Sequence, residues 1–142
     1  MAITQKHLYG WKMEQILLPF FQDILDSELT PTTYRYDGCD MISEEYIVEL
    51  KARPKYSVKY NKLQDMNTYN NWLLPCCKID KLKDNRKFVI FYYWGANQKC
   101  FRLDYDPVKF QSYERGIPWY SNQEHFFIPK EDWTLVLEDV AD

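Results

Sequence analysis

The chain has 142 residues and a net charge of -3, a length that suits one domain with its own core. Hydrophobic residues at 46% and aromatics at 18% exclude a disordered chain. Four glycines leave no G-x-x-x-x-G-K or G-x-G-x-x-G phosphate loop, and the acidic balance excludes a surface that is basic throughout, though not a local basic face.

The first expected element is a helix over roughly Leu8 to Ser27, where Met13, Ile16, Leu17, Phe20, Phe21, Ile24 and Leu25 recur at helical spacing. Pro19 falls inside it and should kink or split it. "TPTT" at 30–33 ends the segment. "YRYDGCDMI", 34–42, alternates as a strand does, and "YIVELKAR" after the turn "SEE" reads as its hairpin partner. Pro54 breaks the second strand. Some helix is expected around 60–73, with a turn at Pro75. "KFVIFYYW", 87–94, is the clearest strand, and "QKCFRLDY" returns antiparallel after "GAN". The tail, 107–142, offers strands at "HFFIP" and "WTLVLED", and "PKEDW" reads as a turn. The order predicts an α/β protein, an αβα sandwich around a central mixed β-sheet, in one domain with a core over about 8–105 and an extension over about 106–142.

Cys39, Cys76, Cys77 and Cys100 form no C-x-x-C pair, and His7 and His125 complete no zinc spacing. The N-terminus has no apolar h-region, and no apolar run approaches a membrane span. The expectation is reduced thiols in a cytoplasmic protein. Trp119, Tyr120 and Trp133 are expected in the core or at an interface.

The chemistry-bearing stretch is the second strand of the hairpin. Side chains alternate along a strand, so Ile47, Glu49, Lys51 and Arg53 share one face, while Tyr46, Val48 and Leu50 share the other. If the first face is covered, each unpartnered charge costs several kcal/mol. Such residues then need partners or a metal. The plain alternative is a one-sided strand showing Glu and Lys to water.

An aspartate just upstream changes that balance. "YDGCDMISEEYIVELKAR", 36–53, with an acid, a hairpin and E-x-K after an N-terminal helix, resembles the PD-(D/E)XK nuclease superfamily. The wider order over roughly 10–105 also fits, and the hairpin "KFVIFYYWGANQKCFRLDYD" is similar to the later strands of several phage or virus members. The resemblance implies a restriction-endonuclease-like fold and a Mg²⁺-dependent nuclease, with Mn²⁺ as a substitute, that hydrolyses DNA phosphodiesters. A hard cation suits that chemistry because it activates water and offsets charge on phosphate oxygens. Mg²⁺ keeps several waters, so one or two carboxylates suffice.

On this reading Glu49 and the Leu50 carbonyl are metal ligands, and Lys51 orients the attacking water or stabilises developing charge. The second acid is Asp40 or Asp37. A tight turn centred on Glu44–Glu45 sets Asp40 opposite Glu49, and a turn centred on Ser43 sets Asp37 there; Asp40 is preferred. Many superfamily members add a glutamate from the first helix. Glu14 is the candidate, ahead of Asp23 and Glu28.

Residues 51–87 carry ten Lys or Arg against three Asp, a basic block hidden by the overall acidic balance. Arg53, Lys55, Lys59, Lys62 and Lys78 are the candidate contacts to a phosphate backbone, and Tyr56, Tyr60 and Tyr69 could stack on unpaired bases. The expected partner is DNA, branched, single-stranded or duplex, and the resemblance also allows a homodimer. Two other readings compete: a nuclease fold kept for binding or assembly without cleavage, and an unrelated small α/β interaction domain.

Overall fold

The computed structural model describes residues 5–32, 40–80, 82 and 85–142. It is mixed α/β. Helix α1 spans Gln5–Leu25. A six-stranded sheet runs in the order β1 (Thr30–Pro31), β2 (Met41–Ile42), β3 (Tyr46–Arg53), β5 (Lys87–Trp94), β6 (Lys99–Asp104), β9 (Thr134–Leu137). A three-stranded sheet runs β4 (Asn71–Pro75), β8 (His125–Pro129), β7 (Glu114–Gly116). Short helices α2 (Cys77–Asp80) and α3 (Pro107–Gln111) lie between strands. In the larger sheet β3 and β5 are parallel and every other pair is antiparallel, so the sheet is mixed as expected.

Strand β5 explains the layering. Seven of its eight residues are buried, and they alternate between two cores. Val89, Phe91 and Tyr93 join Val48 and Leu50 under Met13, Leu17, Phe21 and Leu25 of α1. The Phe21 and Phe91 rings stack at 3.8 Å. Phe88, Ile90, Tyr92 and Trp94 join Ile47 on the other face, beneath Trp72, Leu74, Phe126 and Ile128 of the second sheet. A strand covered on both sides reads as a continuous apolar run, which is what "FVIFYYW", 88–94, is.

The second cover differs from expectation. Residues 60–73 form no α-helix; Met66–Thr68 is a single 3₁₀ turn capped by Asp65, and Asn71–Pro75 is a strand where a turn was expected at Pro75. The aromatic and leucine side chains of "NWLLP" go to pairing with "HFFIP". The layer opposite α1 is therefore largely sheet, with α2 and α3 as single turns. Residues 106–142, expected as an extension, supply β9 to the large sheet and two strands to the small one.

Helix α1 continues through Pro19, which is exposed, so the carbonyl it leaves without an N–H partner faces water. Of the expected strand 34–42, Met41–Ile42 is a strand and 33–39 lie outside the described residues.

Candidate active site

The hairpin turn fixes the site. Ser43 N–H donates to the Tyr46 carbonyl at 2.9 Å, and the Ser43 hydroxyl accepts from Tyr46 N–H at 3.0 Å. That closes a two-residue turn at Glu44–Glu45. Pairing then runs Ile42 with Ile47 and Met41 with Val48, and Asp40 N–H donates to the Val48 carbonyl at 2.9 Å. Continuing one step sets Asp40 opposite Glu49, and facing residues of an antiparallel pair project to the same side. Asp37 lies outside the described residues.

Asp40 is also tied to the backbone: its Oδ2 accepts from Leu50 N–H at 2.6 Å. In an antiparallel ribbon the N–H and C=O of one residue point the same way. The Leu50 carbonyl therefore turns toward the edge that Asp40 borders, and the Asp40 carboxylate is near enough to act on the Glu49 carboxyl electrostatically.

Glu49 is one of two buried polar residues among those described, at 3% exposure. Its Oε1 accepts from Lys78 Nζ at 3.3 Å. Its Oε2 is buried with no hydrogen-bond partner among the described residues. Burial first, and the Asp40 carboxylate second, push the Glu49 carboxyl up to about 8, while Lys78 and Lys51 act the other way. Burial works to lower the Lys78 ammonium, and the Glu49 and Asp40 carboxylates more than offset it, so its pKa is raised.

Lys78, a candidate phosphate contact in the basic block, is placed as a direct partner of Glu49, a pairing the sequence did not signal. Helix α2 carries it there: Cys76 N–H is anchored on the Glu124 carbonyl at 2.9 Å, and Ile79 packs into the core beneath the second sheet. Asp80 at the end of α2 is held by Arg115 at 2.8 Å, which also binds Glu124 at 2.7 Å.

Lys51 shares the Glu49 face and is half-buried. Arg53, one step on, is drawn inward: its Nε donates to the Tyr92 hydroxyl at 3.1 Å, and the Tyr120 hydroxyl lies near it. Lys55, Lys59 and Lys62 lie on an exposed lobe closed by a bridge between Tyr56 and Leu63, with Lys55 over the Tyr56 ring and Lys59 over the Tyr60 ring. Glu14 is half-buried on α1, and α1 packs on the sheet face opposite to Glu49. Tyr69 stacks on Trp94 rather than facing outward. Trp133 is core as expected, whereas Trp119 is 80% exposed.

Two carboxylates and a backbone carbonyl are an oxygen donor set for a hard divalent cation that keeps waters in its remaining positions, with the Lys51 and Lys78 ammonium groups beside them. Among the described residues no group of three or more His, Cys, Asp or Glu side chains is placed to hold a metal ion. The partnerless Glu49 Oε2 fits a cation, because a buried carboxylate oxygen without a donor is costly. No helix of the described residues is long and apolar enough to cross a membrane. Comparison of the chain with protein-family models, curated proteins and solved structures finds no match.

Proposed function

We propose that this protein is a Mg²⁺-dependent nuclease that hydrolyses DNA phosphodiester bonds on a restriction-endonuclease-like scaffold. The observation that carries the reading is the Asp40–Glu49 juxtaposition, with the second oxygen of Glu49 buried and without a donor. The order helix, acid-bearing hairpin, parallel strand β5 and antiparallel strand β6 supports the scaffold. The sheet cover opposite α1 is where this chain departs from the αβα expectation.

Asp40 Oδ1, Glu49 Oε2 and the Leu50 carbonyl would hold the ion. A divalent ion held there would activate a water near neutral pH and offset charge on a nonbridging phosphate oxygen. Lys51, on the Glu49 face, holds the nucleophile and the phosphate in line through its ammonium protons. Lys78 keeps Glu49 oriented and sets how readily it ionises. A DNA strand lies across the Lys51 end of the site.

The test is incubation of plasmid and branched DNA with Mg²⁺ or Mn²⁺, comparing wild type with Glu49→Ala and Lys51→Ala. Cleavage by wild type that both substitutions abolish supports the reading. Equal cleavage by all three, or none by any, sinks it. A second reading, a nuclease-like fold kept for binding without cleavage, draws on the Glu49–Lys78 ion pair, which a purely structural network would also use. It predicts DNA binding that is indifferent to Mg²⁺ and to Glu49→Ala.

A further inference from the structure

The end of β3 remote from Glu49 leads to an exposed aromatic surface that no core contact explains. Trp119 is 80% exposed and Tyr60 52% exposed, and their rings meet at 5.5 Å. Trp119 also meets Tyr120 edge-on at 5.7 Å. An indole this exposed is unusual, since large aromatics gain most from burial.

The segment that carries Tyr60 has charge of one sign. Residues 53–64 contain Arg53, Lys55, Lys59 and Lys62 and no acid, whereas Arg115, the cation of 115–123, is paired with Asp80 and Glu124. Lys59 lies over the Tyr60 ring at 5.4 Å, so a cation and a stacking surface occur together. In a chain of net charge -3, this local surplus favours a polyanion that also offers flat apolar faces. Unpaired DNA has both; a blunt duplex keeps its base faces stacked away.

Position argues the same way. Tyr120 lies near Arg53, and Arg53 is four strand residues from Glu49, a run of about 13 Å on the same face. A strand held at Lys51 and running past Arg53 would meet Tyr120, Trp119 and Tyr60.

We propose that Trp119 and Tyr60 form a stacking platform for an unpaired base of single-stranded DNA, with Lys59 and Lys62 holding its backbone. The substrate class is then a single strand, flap or frayed end rather than intact duplex. This rests on the nuclease reading for what lies at the far end of β3, but its test does not.

Binding is measured in EDTA, with no cleavage, for a labelled single-stranded oligonucleotide and for the blunt duplex of the same sequence. Wild type should bind the single strand at least about tenfold more tightly, with quenching of tryptophan fluorescence. Trp119→Ala should lose about tenfold for the single strand, and Trp119→Phe should recover most of it. Because the side chain is exposed, the thermal unfolding midpoint of each variant should match wild type. Lys59→Ala should weaken binding and flatten its salt dependence. Equal affinity for the two DNAs, no loss in Trp119→Ala, or no binding at all overturns the platform. Loss of cleavage in Glu49→Ala with the platform absent, or the platform present without cleavage, separates the two proposals.

Discussion

Lys78 Nζ lies 3.3 Å from Glu49 Oε1, joining a one-turn helix to the strand of the E-x-K sequence. The Glu49 side chain is 5% exposed and that of Lys78 26%. Removing the lysine leaves a buried carboxylate with its strongest donor gone. Lys78→Met should therefore lower stability by roughly 1–2 kcal/mol at about pH 9.5, above the Glu49 pKa, less than a fully buried pair because Lys78 is partly solvated. The loss should shrink at pH 5, where Glu49 is protonated. Urea unfolding at both pH values checks this, and an equal loss at both would contradict the ion-pair account.

Glu49 also makes stability depend on pH. Its folded pKa is raised to about 8, against roughly 4.3 in an unfolded chain. The folded state thus holds the extra proton between those values. The stabilisation is present in full below pH about 4 and is lost as pH rises toward 8. Relative to Glu49→Gln, wild type should lose up to about 1.4 kcal/mol per pH unit across that window. Parallel pH profiles for the two proteins would refute the assignment.

Cation binding should compete with the same proton. Below pH 8 the apparent affinity for Mg²⁺ should rise by up to about tenfold per pH unit, and level off above it. Isothermal titration at pH 6, 7, 8 and 9 reads this directly. Glu49→Gln should remove both the heat and the slope. Binding that is as strong at pH 6 as at pH 9 would count against Glu49 as a ligand.

Asp40 has a structural task separable from ion binding. Its Oδ2 satisfies Leu50 N–H at 2.6 Å. Asp40→Ala orphans that donor and should cost about 1–3 kcal/mol. Asp40→Asn retains an acceptor and should cost less than half as much, yet abolish Mg²⁺ binding. Denaturation and titration of the two variants together distinguish a ligand from a simple turn residue.

The Tyr92 hydroxyl connects the two sheets: it accepts from Arg53 Nε at 3.1 Å and donates to the Leu73 carbonyl at 3.4 Å. Tyr92→Phe keeps the ring in the Trp72, Trp94 and Trp133 cluster and removes only these bonds. A loss of about 1–2 kcal/mol is expected. An unchanged denaturation midpoint would mean that Arg53 finds another partner at no cost.

The sequence by itself determined whatever depends on local periodicity. Alternation in "YIVELKAR" assigned Glu49 to one face and Val48 and Leu50 to the other, because a strand repeats every two residues. It left two turns open, one setting Asp40 and one setting Asp37 opposite Glu49, and the backbone pairing at Glu44–Glu45 is what sets Asp40 there. The apolar run 88–94 marked the clearest strand, and the structure buries it on both faces. Contacts between distant segments were decided only by tertiary structure. Lys78 is 29 residues beyond Glu49, and its approach depends on a crossover through Asn71–Pro75, whose pairing with His125–Pro129 lies far along the chain. The composition of 60–73 is compatible with helix, and strand pairing overrode it because Trp72 and Leu74 bury more apolar surface against the central sheet. Nor does a tryptophan's chemistry report whether it is covered: Trp133 and Trp119 look alike in sequence, and only packing buries one and leaves the other at 80% exposure.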